Sequence, residues 1–158
     1  MPKLMCICGP NGAGKSTLSR TIAMQDNILV IDTDKFAAEG LTQIAAGKAA
    51  VRIARMFVKE GIPFARESTL TAQFDFTLMK TAKEHGYRVE LVYIRLSSPE
   101  LALKRIAARV ARGGHDVPAV DVIRRFQRSL DNLPKAMALA DRVTVFDNST
   151  GRFVRVSQ

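Results

Sequence analysis

The run Gly9-Pro10-Asn11-Gly12-Ala13-Gly14-Lys15-Ser16 satisfies the full pattern G-x-x-x-x-G-K-[ST], and Thr17 follows it. Glycines at these positions let the backbone wrap an anion with its N–H groups facing inward, and a helix opening directly afterwards adds its positive end. In such a loop Lys15 reaches the β and γ phosphates of a nucleoside triphosphate, while the Ser16 hydroxyl ligates Mg²⁺. The flanks have the required character: residues 3–8 are an apolar run that reads as a buried strand, and residues 17–24 read as the helix. Residues 9–17 are therefore expected to bind a triphosphate.

A transfer reaction needs acids near that loop. In an open parallel sheet ligands bind beyond the carboxyl ends of the strands, which singles out Asp32, Asp34 and Glu67. A carboxylate at Asp32 or Asp34 can take a proton from a hydroxyl or hold a Mg²⁺-bound water. Asp34 is equally suited to N-cap a short helix starting at Lys35-Phe36. Glu67 leads the polar group Ser68-Thr69, suited to fixing a hydroxylated substrate, with a plain surface glutamate as the competing view.

The third group is basic. Leu103, Ile106, Ala107 and Val110 form an apolar helical stripe, and Arg105, Arg109 and Arg112 fall on its opposite side. They are either solvated or part of a lid over residues 109–120, running through Gly113-Gly114-His115, that folds arginines over the triphosphate. Arg124, Arg125 and Arg128 pose the same choice, with solvation favoured.

Positioning these residues requires strands alternating with helices. Strands are expected over residues 27–32, 62–67, 88–96 and 142–147, helices over residues 42–59, 73–85 and 99–112, and a helix over residues 119–130 followed by a shorter one. Residues 152–156 can return as a small terminal strand after the turn 148–151. The pattern predicts an α/β fold, a five-stranded parallel sheet with helices on both faces and a helical lid.

Length and composition agree with one domain: 158 residues, 47% hydrophobic. No stretch approaches the roughly 18 apolar residues of a membrane span, so no membrane association and a cytoplasmic location are expected. Cys6 and Cys8 lie two apart on one strand face and read as small core residues. His85, before Gly86, reads as a solvated helix end. The net charge of +9 attracts polyanions, yet no Lys/Arg block stands out and aromatic content is 6% without Trp, so nucleic acid is not the favoured partner.

Together, the phosphate loop, Asp32-x-Asp34, Glu67-Ser68-Thr69, and the arginine helix leading to Gly113-Gly114-His115-Asp116-Val117-Pro118 resemble the zeta toxin family of P-loop kinases, in its short branch. The segment Ile123-Arg124-Arg125-Phe126 with Arg128-Ser129-Leu130-Asp131-Asn132-Leu133 is also similar to that branch. The resemblance implies a nucleoside-kinase-like fold and an ATP-dependent kinase acting on a small-molecule hydroxyl. It implies Lys15 and Ser16 on the ATP phosphates and Mg²⁺, Asp34 as the base, Glu67 and Thr69 orienting the acceptor, and Arg109 at the transferred phosphate. Arg112 or His115 takes the place of a second phosphate contact. The best-known members phosphorylate UDP-N-acetylglucosamine and are held by an antitoxin; this chain is shorter and lacks their additional C-terminal region.

Three other readings stay open at this point. A transporter-type ATPase would need a Leu-Ser-Gly-Gly-Gln signature and a Walker B acid pair, and neither occurs in the chain. The positive charge suits a polynucleotide kinase or nucleic-acid binder. A nucleotide-dependent switch with little turnover would carry the same loop.

Overall fold

The computed structural model describes residues 1–156. Its strands are β1 (Lys3–Cys8), β2 (Leu29–Ile31), β3 (Phe64–Ser68), β4 (Arg88–Arg95), β5 (Arg142–Asp147) and β6 (Val154–Val156). They form one sheet in the order β2-β3-β1-β4-β5-β6. Every pairing is parallel except the last, where β6 runs antiparallel to β5. The sheet is thus six-stranded rather than five-stranded, because the chain turns back after Asn148 and pairs Val154 with Asp147.

Helices α1 (Lys15–Asp26), α2 (Thr33–Ala38), α3 (Gln43–Glu60), α4 (Gln73–Glu84), α5 (Pro99–Ala111) and α6 (Ala119–Leu139) cover both faces. The alternation of a strand divides the core accordingly. On β1, Leu4, Cys6 and Cys8 join a layer with Phe57 of α3 and Met79 of α4, while Met5 and Ile7 join the layer of Ala102 and Ile106 from α5. Leu4, Ile7 and Ile94 are fully enclosed, each worth about 1.5–3 kcal/mol of burial. Cys6 and Cys8 are buried core thiols; burial pushes Cys6 up to about 12 and Cys8 well above the usual thiol range, leaving both protonated.

Three boundaries differ from expectation. Strand β2 is confined to Leu29–Ile31 because Asn27 takes a left-handed conformation and Asp32 leaves the strand to cap α2. Strand β3 begins after Pro63 and extends to Ser68. Helix α6 is a single helix rather than two, running through Pro134. The carbonyl deprived of its partner by that proline belongs to Leu130, a residue 39% exposed, where water can satisfy it. Phe126 and Val122 before the proline and Ala136 after it all remain buried, and this packing outweighs the missing hydrogen bond.

Candidate active site

The phosphate loop leaves the carboxyl end of the central strand. Gly9 donates its N–H to the Ser68 carbonyl at 3.2 Å, and a Cβ on Gly9 would stand 2.4 Å from the Ile94 carbonyl oxygen. The loop is thereby clamped between β3 and β4. Gly14, at φ 92°, is the N-cap of α1 and offers no side-chain acceptor to the first turn. The free N–H groups of that turn, with no acidic residue among them, present an anion site.

Lys15 Nζ donates to the carbonyls of Gly9 at 2.9 Å and Pro10 at 3.0 Å. Burial pulls its ammonium below the ordinary lysine value, and the negative charges of Glu67 and Asp34 oppose that shift. Asn11 Oδ1 is buried without a hydrogen-bond partner. These groups stand where two cavities adjoin. One encloses about 300 Å³ and is walled by the loop, the start of α1, Arg20, Arg105 and Arg109. The other, about 200 Å³, is walled by Asp32, Thr33, Arg66, Ser68, Thr69 and neighbouring residues, with Arg125 across from them. Asn11, Lys15, Asp34 and Glu67 line both.

The acids divide their tasks. Asp32 is the N-cap of α2: its Oδ1 accepts the Asp34 N–H at 3.0 Å. The capping alternative considered for Asp34 therefore falls to Asp32, and the Asp34 carboxylate faces the cavities. Glu67 accepts from the Ser16 hydroxyl at 3.0 Å and from the Ser19 hydroxyl. Burial raises its carboxyl above the usual range; the Ser19 hydrogen bond works against this and the nearby charge of Asp32 adds to it. Ser19 is almost wholly buried and was not anticipated, although Ser16 and Ser19 at i and i+3 share one face of α1.

The arginines of α5 separate. Arg105 donates to the carbonyls of Gly12 at 3.3 Å, Ser149 at 3.3 Å and Asn148, stitching the loop to the end of β5. Asn148 completes the seam by donating Nδ2 to the Ala13 carbonyl at 2.8 Å. Arg109 lines the larger cavity and donates from Nε at 3.1 Å and Nη2 at 2.8 Å to the His115 carbonyl. Arg112 donates to the Ala108 carbonyl at the end of the helix, and neither Arg112 nor the His115 side chain lines either cavity. His115 contributes its backbone oxygen instead.

On the other wall, Thr69 and Thr71 share a hydroxyl hydrogen bond of 2.8 Å. Between them Leu70 is fully buried at φ 60°, a left-handed conformation costly for a leucine. Its N–H donates to Ser68 Oγ at 2.9 Å, and its carbonyl accepts from Asn132 Nδ2 at 2.9 Å. Neither the strain nor the Asn132 contact had a local sequence signal, since the partners are far apart in the chain.

The donor set suits a triphosphate: glycine backbone, a helix N-terminus, Lys15 and three arginines surround the larger cavity. Among the described residues no group of three His, Cys, Asp or Glu side chains forms a metal site by itself.

Known proteins place this arrangement. The zeta toxin family model matches residues 1–155. An uncharacterized protein of Haemophilus influenzae is 40% identical over 128 residues, covering 77% of this chain and 90% of the relative. Among solved structures, one from the PezAT chromosomal toxin–antitoxin system of Streptococcus pneumoniae superposes with a TM-score of 0.74 at 21% identity, over 99% of this chain and 71% of that one. The AvrRxo1-ORF1:-ORF2 structure with ATP gives a TM-score of 0.76 at 16% identity, over 99% of this chain and 57% of that one. With the family model running from the first strand to the last, on a phosphate loop set in this sheet order, the chain belongs to the zeta toxin family and is a P-loop kinase.

Proposed function

We propose that the protein transfers the γ-phosphate of ATP to a hydroxyl of a small molecule. The observation that carries this reading is the pair of adjoining cavities with Lys15, Asp34, Asn11 and Glu67 in their common wall. A donor phosphate on the loop side and an acceptor hydroxyl on the other would meet beside Asp34.

In this reading, the N–H groups of residues 9–17 and Lys15 hold the phosphates. Bound Mg²⁺ supplies charge neutralisation for the transferring group, with Ser16 as ligand and Asp32 able to hold a water through its second oxygen. Asp34 accepts the proton of the acceptor hydroxyl. Arg109, already aimed by the His115 carbonyl, offsets charge developing on the transferred phosphoryl group. Glu67 and Thr69 orient the acceptor; Arg112 and the His115 side chain would act only if residues 109–120 close as a lid. Arg105 holds the loop's shape.

UDP-N-acetylglucosamine is the first acceptor candidate, from the family resemblance. A protein antitoxin is the corresponding partner, as the pneumococcal PezAT system pairs a toxin with an antitoxin. Action in the cytoplasm fits this reading, and no described helix is long and apolar enough to cross a membrane.

The test is a pair of variants assayed separately for binding and transfer. Lys15→Ala should lose measurable MgATP binding and transfer together. Asp34→Asn should keep MgATP affinity and lower kcat by about 10²- to 10⁴-fold, the usual worth of a general base. An Asp34→Asn variant that loses nucleotide affinity as Lys15→Ala does would remove Asp34 from the base role.

A further inference from the structure

The arginines at the start of α6 have different fates. Arg124 pairs with Asp121 at 2.8 Å and is mostly in solvent, and Arg128 is exposed. Arg125 is half-buried and turns into the smaller cavity, and it has no hydrogen-bond or ion-pair partner among the described residues. It is not a floppy surface group: Val122 and Phe126, on either side of it along the helix, are 0% and 7% exposed and pin this turn into the core. A guanidinium held by a rigid turn and partly withdrawn from water, without a counter-ion, is a site for an anion.

Its surroundings sharpen the point. Arg66 lies in the same wall, but its charge is matched by a buried ion pair with Asp75. One of its donors, Nε, is buried and unpartnered. Asp32 and Glu67 are occupied by the Asp34 N–H and by two serine hydroxyls. Among the described residues Arg125 therefore carries the guanidinium of this wall that has no ion-pair partner, in a cavity that Asp32, Asp34 and Glu67 also line. The cavity, about 200 Å³, adjoins the larger one along the shared wall of Asn11, Lys15, Asp34 and Glu67.

We infer that Arg125 is an acceptor-binding residue and that the acceptor is a hydroxylated anion, carrying a carboxylate or a phosphate. This rests on the kinase reading for the identity of the cavity as the acceptor side, and it narrows the acceptor that reading leaves broad. One anionic group of the acceptor meets Arg125, the remaining wall of hydroxyls from Ser68, Thr69 and Thr71 suits its neutral oxygens, and a hydroxyl is left facing Asp34.

The test measures binding first, so that it does not depend on turnover. The full chain is saturated with a non-hydrolysable ATP analogue and Mg²⁺. It is then titrated calorimetrically with glycerate and glucuronate for the carboxylate arm, glycerol 3-phosphate and glucose 6-phosphate for the phosphate arm, glycerol and glucose as neutral counterparts, and UDP-N-acetylglucosamine. At least one anion should bind while its neutral counterpart does not, and the arm that binds names the anionic group. Arg125→Gln should weaken that binding by about 10- to 100-fold, Arg125→Lys should restore part of it, and affinity for the ATP analogue should stay unchanged in both. Binding of none of the anions, the sugar nucleotide included, equal binding of charged and neutral partners, or an unchanged Arg125→Gln would each overturn the inference. Arg125-dependent anion binding with no phosphate transferred from ATP would support the anion site and sink the kinase reading.

Discussion

Replacing Gly14 by alanine probes how closely the phosphate loop is built against the far end of the sheet. The residue sits at φ +92°, and an added Cβ would lie 2.8 Å from Asn148 Nδ2 and 3.2 Å from the Phe153 ring. A left-handed conformation costs an L-residue about 1–2 kcal/mol. Displacing Asn148 breaks its 2.8 Å hydrogen bond to the Ala13 carbonyl inside the protein, at about 1–3 kcal/mol for the groups left unpaired. The sum, about 2–5 kcal/mol, corresponds to a fall in Tm of roughly 5–15 °C for a chain of this size. Gly151→Ala is the internal control, because Gly151 has φ +84° yet nothing within 4 Å of its Cβ position. It bears the conformational cost alone. Urea denaturation of both variants should place Gly14→Ala at least about 1 kcal/mol below Gly151→Ala, with m unchanged. Calorimetry should show weaker MgATP binding only for Gly14→Ala. Equal destabilisation of the two variants would refute the close packing, and unaltered MgATP affinity in Gly14→Ala would refute its bearing on the loop.

Other consequences are open to measurement. Asp75→Ala strands the Arg66 guanidinium and removes the acceptor of the Ala72 N–H, so it should cost about 3–5 kcal/mol in urea unfolding. The double variant Arg66→Met/Asp75→Leu should recover most of that loss; failure to recover would mean that the ion pair itself is not the cause. Asn132→Ala leaves the Leu70 carbonyl without its donor and should destabilise by about 1–3 kcal/mol while raising KM for the acceptor more than KM for ATP. Glu67 supplies a pH signature. Its carboxyl is raised, so between the ordinary glutamate value and the raised one the folded chain holds a proton that the unfolded chain has released. Stability conferred by this group is present at low pH and is lost as pH rises through that window. Glu67→Gln should flatten that part of the stability–pH curve, and an unchanged slope would show that Glu67 is not its source.

The legible parts of the molecule were those encoded locally. The loop at residues 9–17 and the continuous apolar run of β1 specify strand, turn and helix within one stretch, and both occur as read. Asp34 and Glu67 stood out because strand ends define a common rim. What escaped depended on contacts between distant segments. Arg105 and Arg109 read as one stripe, but tertiary packing gives Arg105 to backbone carbonyls of the loop and Arg109 to the cavity. Asn148 read as a turn residue and Asn132 had no role of its own, although each secures a backbone carbonyl at the site from more than 60 positions away. A helix over residues 119–130 and a shorter one after it were expected, and burial on both sides of Pro134 keeps α6 whole.

Phosphoryl transfer from ATP to a small-molecule hydroxyl is measured most simply by mass spectrometry of a bacterial metabolite extract incubated with the protein, ATP and Mg²⁺. A metabolite should gain one phosphate, stoichiometric with ADP formed, in the wild-type reaction and not with Asp34→Asn. ADP accumulating at the same rate with and without the extract, with no metabolite gaining phosphate, would contradict such transfer and point to an ATPase or a nucleotide-dependent switch.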